Sequence, residues 1–117
     1  MKRLLLLMVL IAFPCQLRAG QKQNGETQAS GTALKGKKLF FQRCSLCHLG
    51  MPIKYQTYGP FLDQTVIARL GDDFAREKIR NGSQVMPGFK YALEPDEIDA
   101  IVLFLKTLKR DDVPHGS

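Results

Sequence analysis

The sequence predicts an all-α fold of short helices joined by irregular loops. No stretch alternates apolar and polar residues as a half-buried strand does, and no internal repeat or heptad pattern is present. Glycine and proline punctuate the middle of the chain at Gly50, Pro52, Gly59 and Pro60. Near the C-terminus, "EPDEIDAIVLFLKTLKR" (Glu94 to Arg110) carries the helical signal most fully. Ile98, Ile101, Phe104, Leu105 and Leu108 form its apolar stripe. Pro95 suits its first turn, Asp96 and Glu97 its positive end, and Lys106, Lys109 and Arg110 its negative end.

Lys2 and Arg3 precede the apolar run "LLLLMVLIAF" (Leu4 to Phe13), and small residues follow at Ala19 and Gly20. This is the layout of a signal peptide spanning residues 1–19, cut after Ala19. An uncleaved membrane anchor is the alternative, but Pro14 and Arg18 shorten the apolar run. Cys15 raises a lipoprotein reading, which Phe13-Pro14 before it disfavours. Residues 20–31, "GQKQNGETQASG", lack an apolar period and read as a flexible lead-in. A single domain is expected over residues 32–110. Its first helix is capped by Thr32 and runs through "ALKGKKLFFQRC", with Gly36, Phe40 and Cys44 on one face. Gly36 is a poor helix former, so a close neighbour is expected there.

After Leu49 the chain reads as loop up to Pro60. "LDQTVIARL" (Leu62 to Leu70) is a short helix ended by Gly71. Asp72 or Asp73 can cap a following helix, "FAREKIRN", which stops at Gly82. "SQVMPGFKYAL" is irregular, and residues 111–117 read as a disordered tail.

Charge excludes one broad class. The 17 Lys and Arg stand against 11 Asp and Glu, and loss of Lys2, Arg3 and Arg18 with the leader leaves 14, a net charge of +3. A nucleic-acid binder keeps a larger, clustered excess, so no nucleic acid is expected as a partner. Lys35, Lys37, Lys38, Lys54 and Lys90 suit either an ordinary solvated face or steering of acidic partners.

The chemistry concentrates in "FFQRCSLCHLG" (Phe40 to Gly50). Cys44 and Cys47, with Cys15 gone, are the remaining cysteines. A disulfide between them would close a loop too small to stabilise much. A zinc site wants about four ligands, and His48 and His115 are the only histidines available. Cys-x-x-Cys-His is the attachment signature for c-type haem, one group per chain. Two cysteines three apart project from nearly one face of a helical turn, and the histidine follows on the same side. A covalently held apolar disc also solves a packing problem, because a mature chain this short buries little core of its own.

For the other side of the iron, Met86 is the best-placed candidate. Met1 and Met8 leave with the leader, and His115 sits in the tail. Met51 lies three residues past His48, a reach of about 10 Å, too little to round the ring. Pro87 holds Met86 out of helical geometry. The competing reading has Met86 packed in the core, leaving a lysine ligand or an open iron. Tyr55, Tyr58 and Arg69 are candidates to hydrogen-bond the haem propionates.

From about Ala33 to Lys109 the chain resembles the class I c-type cytochromes, small bacterial monohaem proteins that are exported. Gly36 and Phe40 before the motif, Cys44, Cys47 and His48 within it, Gly59-Pro60-Phe61-Leu62 and the Met86-Pro87 loop match that family's features in order. The resemblance implies a cytochrome c fold wrapped around one haem, with the first and last helices crossing. Gly36 and Phe40 would then meet Ile101, Phe104 and Leu105. It also implies that the Pro60 carbonyl accepts the Nδ1 hydrogen of His48, and that His48 and Met86 are the axial ligands. No catalytic residue is expected. The function implied is a periplasmic, monomeric single-electron carrier between an exported dehydrogenase and an oxidase or other respiratory acceptor. Similar small cytochromes accompany quinoprotein alcohol dehydrogenases. Two rivals stand beside this reading. A gas-binding or peroxidatic haem protein needs an open iron, and a thiol oxidoreductase needs a βαβ pattern that the sequence lacks.

Overall fold

The computed structural model of the protein describes residues 21–49 and 58–113. Among them are five α-helices: α1 (Gln21–Arg43), α2 (Ser45–His48), α3 (Gln64–Leu70), α4 (Asp72–Asn81) and α5 (Pro95–Leu105). A 3₁₀ turn over Arg110–Asp112 follows, and no strand occurs among the described residues. The expected leader, with Cys15 and Ala19, lies outside the described residues, as do Met51, Lys54, Tyr55 and His115. Among the described residues no helix is long and apolar enough to cross a membrane.

The organising contact is the crossing of α1 and α5. Gly36 lies with its Cα against the α5 backbone, where an added Cβ would collide with the Ala100 carbonyl and sit 2.9 Å from the Ile101 nitrogen. Any side chain there would push the helices apart. One turn later Phe40 is fully buried, its ring 5.6 Å from that of Phe104. Ile101, Val102 and Leu105 are buried with it. Each such side chain contributes about 1.5–3 kcal/mol by leaving water. Lys35 ties the rim of the crossing to Asp96 at 3.0 Å and Glu97 at 3.7 Å, exposed pairs that add little.

Local signals set the other helix ends. Asp63 caps α3 by accepting from the Val66 N–H at 2.9 Å. Glu97 reaches back to the Glu94 N–H at 3.1 Å at the start of α5.

Five sequence expectations are corrected. Residues 21–31 belong to α1 rather than to an irregular lead-in. The segment contains no proline, and once the packed half of a helix is nucleated, extending it costs little. Thr32 is therefore no cap; its hydroxyl donates to the Gln28 carbonyl within the helix at 2.9 Å. At α4 the cap position falls on Gly71, and Asp72 and Asp73 sit in the first turn, paired with Lys106 and Arg76. The final helix stops at Leu105 instead of Arg110. There the Thr107 hydroxyl donates to the Phe104 carbonyl, and the Leu108 carbonyl accepts from Gln64 at the start of α3. Lastly, residues 111–113 are ordered against the domain, with Val113 buried in the core. Arg110 anchors that end, lying over the Phe61 ring and pairing with buried Asp63 at 3.3 Å.

Candidate functional site

Cys44 sits at the junction between α1 and the single turn of α2, its N–H bonded to the Phe40 carbonyl at 2.8 Å. The crossing that fixes Phe40 thus fixes the start of the motif. The N–H groups of Cys47 and His48 both bond the Cys44 carbonyl at 3.1 Å. This turn carries the three side chains of the motif in a fixed order.

Cys44 and Cys47 are free thiols in this geometry. Cys44 is buried in the core, and this burial pushes its thiol up to about 11, with the Arg43 charge opposing. A thiol so disposed is a poor nucleophile at neutral pH.

His48 is buried, and its Nδ1 donates to the Pro60 carbonyl at 2.8 Å. A carbonyl only accepts, so the proton is on Nδ1 and the free lone pair is on Nε2. The segment 58–62 is pinned to α2 by two backbone bonds, Gly59 N–H to Cys47 at 3.0 Å and Leu62 N–H to His48 at 3.3 Å. Gly59 lies close against the imidazole edge: a Cβ there would come within 2.7 Å of Cε1 and 2.9 Å of Nδ1.

Beside these groups lies a cavity of about 280 Å³. α2 contributes Cys47 and His48, and the following segment Tyr58, Gly59, Pro60 and Leu62. Ile67, Leu70, Phe74, Ala75, Lys78 and Ile79 come from α3 and α4. Ser83, Val85, Met86 and Pro87 close it from the loop after α4, and Leu105 from α5. That loop is held at both ends. Ser83 and Met86 bond each other, the Ser83 N–H to the Met86 carbonyl at 2.8 Å and the Met86 N–H to the Ser83 hydroxyl at 3.3 Å. The N–H groups of Phe89 and Lys90 return to carbonyls of Ile79 and Arg80.

Among the described residues the sequence candidates are thus distributed as follows. Cys47, His48, Pro60, Tyr58 and Met86 line one cavity, and Cys44 lies one turn before Cys47 in the adjoining core. Gly36, Phe40, Ile101, Phe104 and Leu105 meet at the crossing. Arg69 is exposed in the last turn of α3 and does not reach the cavity. Two residues were missed. Gly59 carries a generic turn signal, and its contact with the imidazole depends on tertiary structure. Lys78 has a readable signal, since it lies four residues after Phe74 on the α4 face that lines the cavity.

The lining suits a flat apolar group carrying a metal. It is nearly all hydrocarbon, it presents an imidazole with one committed and one free nitrogen, and it places a thioether and a thiol on the same space.

A family profile described as "Cytochrome C oxidase, cbb3-type, subunit III" matches residues 31–105. Among solved structures the chain is similar to the KustC0563 c-type cytochrome, at 29% identity and a TM-score of 0.48, over 63% of this chain and 96% of that one. It is also similar to a tyrosine-to-phenylalanine mutant of that protein, at 30% identity and a TM-score of 0.48, over 64% and 99%. No curated protein matches the chain.

Proposed function

Because the chain belongs to the c-type cytochrome family described by the cbb3-type oxidase subunit III profile, we propose that it is a single-electron carrier whose iron is held by His48 and Met86. Haem c is its cofactor, bound covalently through Cys44 and Cys47 of the Cys-x-x-Cys-His motif. When bound, the group supplies an iron that accepts and returns one electron. The chain's own residues do the rest. Pro60 holds the His48 proton on Nδ1, which orients the ring and keeps Nε2 available as a donor. Gly59 fixes the ring plane by contact. Met86 offers a soft sulfur, which favours the ferrous state. The hydrocarbon lining would shed water against an apolar group filling the cavity.

The observation that carries this reading is that His48 and Met86, from segments far apart in sequence, line one apolar cavity. If His48 and Met86 both hold the iron, no position is left for a substrate, and the role would be electron transfer rather than catalysis. The leader supports export, with cleavage after Ala19 and a periplasmic destination; a retained leader would instead anchor the domain to the membrane. In that compartment the proposed donor is an exported dehydrogenase, of the quinoprotein type among the candidates, and the acceptor an oxidase or another respiratory complex.

The test is the ferrous protein under carbon monoxide. A carrier with two protein ligands leaves its spectrum unchanged, whereas rapid carbon monoxide binding establishes an open iron and the gas-binding alternative. Acid-acetone extraction checks the covalent link independently, since the colour must stay with the polypeptide. Intact mass of the exported protein decides the leader.

A further inference from the structure

We propose that Lys78 is the charge partner of a haem propionate, an inference that rests on the haem reading above. Among the described residues lining the cavity, Lys78 is the sole charged side chain, and no carboxylate lines it. Lys78 is half-buried on α4, its ammonium 5.5 Å from the centre of the Phe74 ring, which also lines the cavity. Arg76 is paired with Asp73 and Asp99, Lys106 with Asp72 and Arg110 with Asp63, while Arg80, two residues further along α4, is exposed and does not line the cavity. Lys78 has no carboxylate partner among the described residues. Residues 50–57, "GMPIKYQT", contain no acid that could supply one. A lysine whose stem is partly buried beside hydrocarbon presents its ammonium at the cavity, where an anion would find a charge partner. Haem brings two carboxylates. The side chains expected from sequence to meet them serve less well. Arg69 is exposed and does not line the cavity, and Tyr58 is neutral.

A cation beside a propionate acts on the iron in two ways. It offsets negative charge near the metal, which favours the reduced form and raises the midpoint potential. It also holds the propionate's ionisation low, by about one unit or more for an opposite charge within a few ångströms. The midpoint potential should therefore be measured against pH for wild type, Lys78→Gln, Lys78→Arg and Lys90→Gln, each purified with covalent haem. Lys90 is a control for bulk charge, because it is exposed beside Tyr91 and does not line the cavity. Lys78→Gln is expected to lower the neutral-pH midpoint and move the pH-dependent step upward by about one unit or more. Lys78→Arg restores both, and Lys90→Gln leaves the step where it is. A wild-type profile in Lys78→Gln, or an equal change in Lys78→Arg, overturns the proposal. Failure of the Met86 assignment would register separately, as carbon monoxide binding by the wild type.

Discussion

The imidazole of His48 is held between two backbone features of one turn: Nδ1 donates to the Pro60 carbonyl at 2.8 Å, and Gly59 covers the ring edge. One dipeptide therefore sets both the tautomer and the tilt of the proposed iron ligand. The same segment is tied back to α2 through the Cys47 and His48 carbonyls, so neither half moves alone.

Gly59→Ala should disturb this arrangement more than any stability effect predicts. The new Cβ would lie 2.7 Å from Cε1, so the ring or the turn must shift. The expected outcome is less haem-loaded protein and an altered low-spin spectrum in what is recovered. Absorbance at the Soret band per polypeptide, with the spin state read by electron paramagnetic resonance, measures both. A fully loaded variant with a wild-type signal would show that the contact is inconsequential.

The helix crossing gives a second prediction. Phe104 packs on fully buried Phe40, and its truncation leaves a cavity that costs about 3–5 kcal/mol. Gly36→Val meets the Ala100 carbonyl head-on and must separate α1 from α5. Denaturant midpoints of the two holoproteins should fall well below wild type. Because Phe40 supports the Cys44 N–H, haem attachment in Gly36→Val should fall as well.

A pH effect follows from the rim pair Lys35 and Asp96. The hydrogen bond from Lys35 holds the Asp96 carboxyl below its ordinary 3.8, and the same bond raises Lys35 above its ordinary 10.5. A depressed acid contributes stability above its unfolded pKa and loses it as pH falls through the lower, folded value. A raised base contributes below its unfolded pKa and loses it as pH climbs through the higher one. The pair should thus help across the middle range and fade below 3.8 and above 10.5. Both groups are exposed, so the effect is small and salt removes it. In urea melts, Asp96→Asn should differ from wild type near neutral pH at low salt and converge with it in strong acid.

Much of this architecture was readable because it rests on local chemistry. The stripe of α5, the glycine on the shared face of α1, and the Cys-x-x-Cys-His turn each state their role in a few residues. Helix ends were less legible. Thr32 is a good cap by type, yet it lies inside α1 because nothing upstream breaks the helix. The basic residues after Leu105 look like a final helical turn, but Leu108 is claimed by Gln64 from a different element. Arg69 and Lys78 show the same limit at the site. Both are cations on short helices, and which one faces the cavity depends on how α3 and α4 are seated.

The last prediction concerns Met86, since its sulfur separates a carrier from a catalyst. Its loop is clamped by Ser83 on one side and by the Phe89 and Lys90 N–H groups on the other, so the side chain is presented to the cavity by a fixed backbone. With His48 and Met86 both bound, ferric and ferrous iron are six-coordinate and little has to move when an electron arrives. Ferric protein should show a weak charge-transfer band toward the red end of the visible, characteristic of iron-to-methionine bonding. Met86→Ala should abolish that band, lower the potential and open the iron to carbon monoxide, while covalent haem is retained. Met51→Ala should do none of these, because the about 10 Å of chain that separates it from His48 is too short a reach to round the ring. If Met86→Ala keeps the wild-type spectrum, another side chain holds the sixth position and the His/Met assignment is wrong. If the wild type itself takes up carbon monoxide readily, the iron is open, and the protein is built to bind a small molecule rather than to pass an electron along.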